Sequence, residues 1–171
     1  MTPPLPLSRE DQRQLSAALG YFELKMISEA LEALDGVSPA AADTRNVLAL
    51  RLLVLQKAEN WPKAQATAAR LVTMEPTDPG WSIALAYAMR RAECIERAQA
   101  ILRDAMIAHP GDALIHFNLA CYACQLARID EAREYLRNAF ALDIDLRSQA
   151  MKDPDLQVLW PEISAQKAKA K

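Results

Sequence analysis

Residues 79–112 read PGWSIALAYAMRRAECIERAQAILRDAMIAHPGD, and residues 113–146 read ALIHFNLACYACQLARIDEAREYLRNAFALDIDL. Set one under the other, they agree at Ala86 and Ala120, Ala98 and Ala132, Leu102 and Leu136, and Ala105 and Ala139. The same 34-residue step reaches back from Ala98 to Ala64 and Ala30. Three residues before each of these alanines stands Ile27, Trp61, Ile95 or Ile129. Four residues after each comes Leu34, Ala68, Leu102 or Leu136, and twelve before sits Ala18, Leu52, Ala86 or Ala120. A period of this length marks a solenoid, in which each repeat buries its apolar face only against its neighbours.

Composition agrees with an all-helical chain. Alanine and leucine abound, and the ten prolines fit at helix ends or turns. The 171 residues, 25% of them charged and with a net charge of −2, suit one soluble domain. A near-neutral balance argues against non-specific nucleic-acid binding. Gly20, Gly36, Gly80 and Gly111 are scattered, so no phosphate-cradling loop exists. Met1 to Leu7 lacks the charged and apolar regions of a signal peptide, and no stretch approaches the roughly 20 apolar residues of a membrane span. Cys94, Cys121 and Cys124 are odd in number and too few for a disulfide framework, so a cytoplasmic setting is expected.

Along the chain, Pro3, Pro4 and Pro6 predict an extended tail over residues 1–7. Ser8 caps a first helix through Leu15, Ala18, Leu19, Phe22 and Met26, with Asp11 approximating a capping box. A second helix over Glu29–Leu34 ends at Asp35, Gly36 and Pro39. The next hairpin opens at Asp43 or Thr44, and Asn60 caps its second helix, whose first turn holds Pro62. Helices are predicted over 79–92, 96–108, 113–127 and 130–142, with Asp78 and Asp112 as caps. Residues 147–171 leave the period. Ala150, Met151, Leu156, Leu159 and Trp160 suggest short helices that cover the open end, with a frayed Lys167–Lys171.

These units resemble the tetratricopeptide repeat. The fourth carries the pattern best, at Asn118-Leu119-Ala120, Ala132, Leu136, Ala139 and Asp143. The third matches at Leu85, Ala86, Ala98, Leu102, Ala105 and Pro110. The second departs at Arg51, where the family has leucine, and at Leu52, where it prefers a small residue. The first lacks a terminal proline in register. The resemblance implies a right-handed α-solenoid of antiparallel helix hairpins. Its parts are a degenerate repeat over 8–44, repeats over 45–78, 79–112 and 113–146, and a C-terminal cap.

It also implies a concave groove lined by the first helix of each unit. Carried over position by position, the first unit offers Leu15, Leu19, Phe22 and Glu23, and the second offers Asn46, Ala49, Leu53, Gln56 and Lys57. The third offers Ile83, Tyr87, Arg90 and Arg91, and the fourth Leu114, Phe117, Cys121, Cys124 and Gln125. This floor is mostly apolar with a basic edge, which suits an amphipathic helix or an apolar peptide of a partner protein. Tyr87 and Phe117 are its expected anchors. The other occupants are the chain's own termini or a second copy, as in a homodimer. Leu15 and Leu19 stand where chaperone-binding members carry a lysine and an asparagine, which argues against a carboxylate clamp. Size, acidic balance and apolar groove also look like the tetratricopeptide chaperones of bacterial secretion systems.

Chemistry is not expected. Cys121 and Cys124 form a C-x-x-C in mid-helix, whereas a redox pair needs a helix N-terminus to stabilise its thiolate. Zinc would require about four converging ligands, and His116, five residues before Cys121, points elsewhere. His109 sits beside Pro110 at a helix end, His116 at a hairpin-packing position, and Asp153-Pro154-Asp155 at a helix start. No metal, cofactor or catalytic residue is assigned. Leucine in place of Ala98 or Ala132 should overpack the contact between the two helices of a hairpin. Urea unfolding is expected to show a loss of about 1–3 kcal/mol for either variant.

Overall fold

The computed structural model describes residues 7–92 and 94–168. The expected N-terminal tail lies outside them except for Leu7, as does the expected frayed end from residue 169 on. Every regular element among the described residues is a helix. The chain divides into two compact units, with the break after Ala92, where length alone predicts one domain. The break falls between the two helices expected to form the third repeat; a repeat chain makes contacts mainly between neighbouring elements, so it can divide between two of them in a way a shared core cannot.

The first unit contains α1 (Arg9–Glu23), α2 (Ile27–Asp35), the single turn α3 (Pro39–Ala42), α4 (Arg45–Lys57), α5 (Trp61–Met74) and α6 (Pro79–Ala92). Ser8 opens α1, its Oγ accepting from the Asp11 amide at 3.0 Å and donating to the Asp11 carboxylate at 2.6 Å. That carboxylate is buried and also accepts from the Ser38 amide and hydroxyl at 2.8 and 3.1 Å. The bonds from Ser8 and Ser38 hold the carboxyl below its ordinary range. Asp11 therefore ties the start of α1 to the start of α3. The sequence reading missed α3 because four residues are too few to show a period.

Two apolar clusters fill this unit. Ala18, Ala30, Leu34, Val47 and Val54 form one, and Leu48, Leu52, Leu55, Ala64, Ala68 and Leu71 the other. Each leucine taken fully out of water contributes about 1.5–3 kcal/mol. The two departures of the second repeat have local causes. Arg51 donates to the Asp35 carboxylate at 2.6 Å and to the Leu34 carbonyl at 2.8 Å, so it closes the C-terminal end of α2. Leu52 is buried in the same cluster as Ala64 and Ala68, small residues that leave room for it.

The second unit contains α7 (Ile95–Ala108), α8 (Ala113–Gln125), α9 (Ile129–Leu142), α10 (Leu146–Ala150), a 3-10 helix (Pro154–Leu159) and α11 (Trp160–Ala168). Asp112 caps α8, accepting from the Ile115 amide at 2.9 Å. Helix α8 packs on α7 and α9, and the 3-10 helix packs on α8. Leu156, Leu159 and Ile163 anchor the end segment in the core. Outside it, Arg133 of α9 grips Glu162 of α11 with two hydrogen bonds of 2.9 and 2.7 Å.

The alanine ladder stands where the spacing put it. Ala30, Ala64, Ala98 and Ala132 are each the fourth residue of a helix and are each 0% exposed. A second ladder emerges at the turns. Lys25, Glu59 and Ala127, which fall on the same 34-residue period, have φ of 61°, 54° and 58°. The residue after each donates five positions back, Met26 to Tyr21, Asn60 to Leu55 and Arg128 to Ala123, closing the preceding helix. No glycine occupies these left-handed positions, so each carries backbone strain. Ala127→Gly should relieve it and raise unfolding stability by about 0.5–1 kcal/mol, measured by denaturant titration at constant m-value.

Candidate functional site

The expected groove residues separate by unit. In the first unit α1, α4 and α6 bring Phe22, Leu53, Gln56, Lys57, Tyr87 and Arg91 around one cleft of about 370 Å³. Glu59, from the left-handed turn, and Trp61, the first residue of α5, complete its lining. The sequence reading places neither there. Trp61 belongs to a second helix, outside the groove positions that the resemblance carries. The available signal was that it is aromatic where Ile27, Ile95 and Ile129 are aliphatic.

The cleft is organised around Trp61. The Tyr87 ring meets its indole edge-on, with centroids 5.6 Å apart and planes at 79°. The Arg91 guanidinium lies 4.8 Å from the centre of that ring. Such ring pairs contribute about 0.5–1.5 kcal/mol beyond area burial, and an exposed cation over an aromatic face about 0.5–1 kcal/mol. Tyr87 nevertheless remains 41% exposed and Leu53 51%. Apolar surface is thus held open beside two cations, Lys57 and Arg91.

Other expected groove residues of this unit lie outside the cleft lining. Leu15 is half-buried against the first cluster and Leu19 is exposed. Glu23 and Asn46 are exposed, and Ala49, Ile83 and Arg90 are half-buried.

The second unit corrects the expectation. Phe117 and Cys121, one turn apart on the same face of α8, are only 3% and 4% exposed. The chain's own end segment lies on this helix. The Cys121 thiol reaches the Asp153 carboxylate at 3.6 Å, and Gln125 donates to Asp155 at 3.0 Å. Phe117 therefore cannot anchor a ligand on an open floor, and Cys121 belongs to the core. Leu114 is exposed and Cys124 half-buried.

Cys121 and Cys124 sit where a thiolate is disfavoured. Burial, then the charges of Asp153 and Asp155, push the Cys121 thiol far above its ordinary range. Burial and Asp155 push Cys124 up to about 11. Both shifts disfavour the thiolate that a cysteine nucleophile needs. Asp153 instead caps the 3-10 helix, accepting from the Asp155 amide at 2.9 Å. His116 is buried, with Nε2 3.1 Å from the Pro110 carbonyl and its ring beside Tyr135. His109 is the C-terminal cap residue of α7. No group of three or more potential metal ligands converges among the described residues. No helix among them is long and apolar enough to cross a membrane.

The sequence matches no family model, and no curated protein matches it. Solved structures do match. The fold is similar to that of MamA 41-end from Desulfovibrio magneticus RS-1, with a TM-score of 0.74 over 96% of this chain and 94% of that one, at 13% identity. TTC0263, a thermophilic TPR protein in Thermus thermophilus, matches with a TM-score of 0.65 over 94% and 89%, at 23% identity. MamA MSR-1 C2 gives 0.65 over 78% and 76%, at 17% identity. The chain therefore has an all-α solenoid fold of the tetratricopeptide type. At these identities the likeness concerns the fold alone.

The burial difference between the two expected anchors has a measurable consequence. Phe117→Ala should cost about 3–5 kcal/mol in denaturant unfolding. Tyr87→Ala, at a ring left 41% exposed, should cost clearly less than Phe117→Ala.

Proposed function

We propose that this chain is a non-catalytic protein-interaction module that holds a peptide or helix of a partner protein, with the first-unit cleft as its main anchor. The observation that supports this is the exposure of Leu53 and Tyr87 beside Trp61, Lys57 and Arg91 on one face. Leaving such side chains in water is unfavourable unless a partner covers them, and aromatic anchors dominate the energy of interfaces. The division into repeats at 8–44, 45–78, 79–112 and 113–146 with a capping segment belongs to the same reading. So does a cytoplasmic setting, in which the free thiols of Cys94, Cys121 and Cys124 stay reduced.

A second reading, self-association, draws on a different surface. Ile144 is 60% exposed beside a space of about 630 Å³ that Met151 and Ile163 also line.

The test compares wild type, a Leu53→Ser/Tyr87→Ala variant and a Leu24→Ser control outside the cleft. Protein captured from native extract should fall about tenfold or more for the double variant and stay unchanged for the control, with all three proteins folded and melting cooperatively well above the assay temperature. Equal capture by all three would move the binding surface elsewhere. A wild-type dimer in light scattering that the double variant loses would replace a foreign partner by a second copy.

A further inference from the structure

The chemistry of the first-unit cleft narrows what can occupy it, given the interaction reading above. We infer that its occupant is a segment of a partner protein in which a carboxylate side chain stands close to a bulky apolar one.

The charge balance of the lining comes first. Lys57 and Arg91 provide two cations against the single carboxylate of Glu59, which leaves one positive charge in excess. Neither cation forms an ion pair among the described residues, whereas Arg45, Arg51 and Arg70 of the same unit are each paired with a carboxylate. The posture of Arg91 is the second feature. Its guanidinium is engaged with the Trp61 ring through a cation–π contact, which leaves its N–H edges to receive a carboxylate. A guanidinium already held on an indole loses less freedom on pairing than a free one.

The apolar side of the cleft supplies the rest. Leu53, Phe22 and the exposed face of Tyr87 offer contact to a large aliphatic or aromatic side chain, and charge alone offers nothing to fill that space. Arg91 also excludes another class of ligand. With a cation already over Trp61, a lysine or quaternary ammonium group would meet repulsion where an empty aromatic box would attract it. An acidic–apolar pair satisfies both halves of the cleft, whereas a basic or purely polar segment satisfies neither.

The experiment selects short random displayed peptides on the full chain, with Leu53→Ser/Tyr87→Ala as counter-selection. Enriched peptides should be net acidic and place Leu, Phe, Trp or Ile within one helical turn of Asp or Glu. Their affinity should drop about tenfold or more when the acidic residue becomes lysine, and should weaken as salt is raised. Selection on Lys57→Glu/Arg91→Glu should invert the preference towards basic peptides. If that variant melts early, Lys57→Gln/Arg91→Gln should simply abolish the acidic bias.

Enrichment of neutral or basic peptides at the wild-type cleft would overturn the assignment and leave the interaction reading intact. No enrichment over the counter-selected variant would overturn both. A wild-type dimer that the charge-reversed variant dissolves would also overturn the assignment, since a second copy would then hold the cleft.

Discussion

Two α-helices approach closely only where the residues at their crossing are small. Ala30, Ala64, Ala98 and Ala132 meet that requirement with no exposed surface at all. The larger residues four positions on are then carried inward, and Leu34, Leu102 and Leu136 are buried in consequence. The left-handed residues at Lys25, Glu59 and Ala127 keep the same period because the turn must deliver the second helix to its crossing at a fixed angle. Those positions accept strained, non-glycine residues, which indicates that the packing beyond the turn outweighs the local cost.

What the sequence made legible follows from this repetition. The ladder, the caps at Ser8, Asn60 and Asp112, and most helix bounds recur with the period or rest on local hydrogen bonding, so they can be read one residue at a time. Three things do not recur. Helix α3 depends on Asp11 reaching Ser38, a contact across 27 positions that no local pattern encodes. Arg51 looked like a defect and is the closing partner of α2. Cys121 was placed on an open floor because the repeat pattern stops before the segment that packs on α8 and meets its thiol with Asp153. Burial imposed by a non-repeating element cannot be read from the repeat.

The candidate site divides along the same line. Leu53, Lys57, Tyr87 and Arg91 were found because first-helix positions recur, and Trp61 and Glu59 were missed because they lie outside those positions. The end segment reaches α8 with Asp153 and Asp155, whose charges add to burial in disfavouring both thiolates. One unit therefore presents open apolar and cationic surface, whereas the comparable helix of the other is closed by its own chain. Recognition can be sought in the first unit without invoking chemistry in the second.

Trp61 joins the structural and functional halves of this picture. At the position where Ile27, Ile95 and Ile129 suffice to start a second helix, an indole supplies more surface than the hairpin needs. The surplus is what Tyr87 packs against and what Arg91 covers. A cleft built on an oversized structural residue ties its lining to the hairpin's stability, so truncating Trp61 would disturb the helix start and the cleft together. Leu53, Lys57 and Arg91 lie on the solvent side of the same cleft, where loss of a contact leaves the helix crossings intact. The repeat fixes where the helices meet, and the aromatic departure at Trp61 gathers Tyr87 and Arg91 at one cleft.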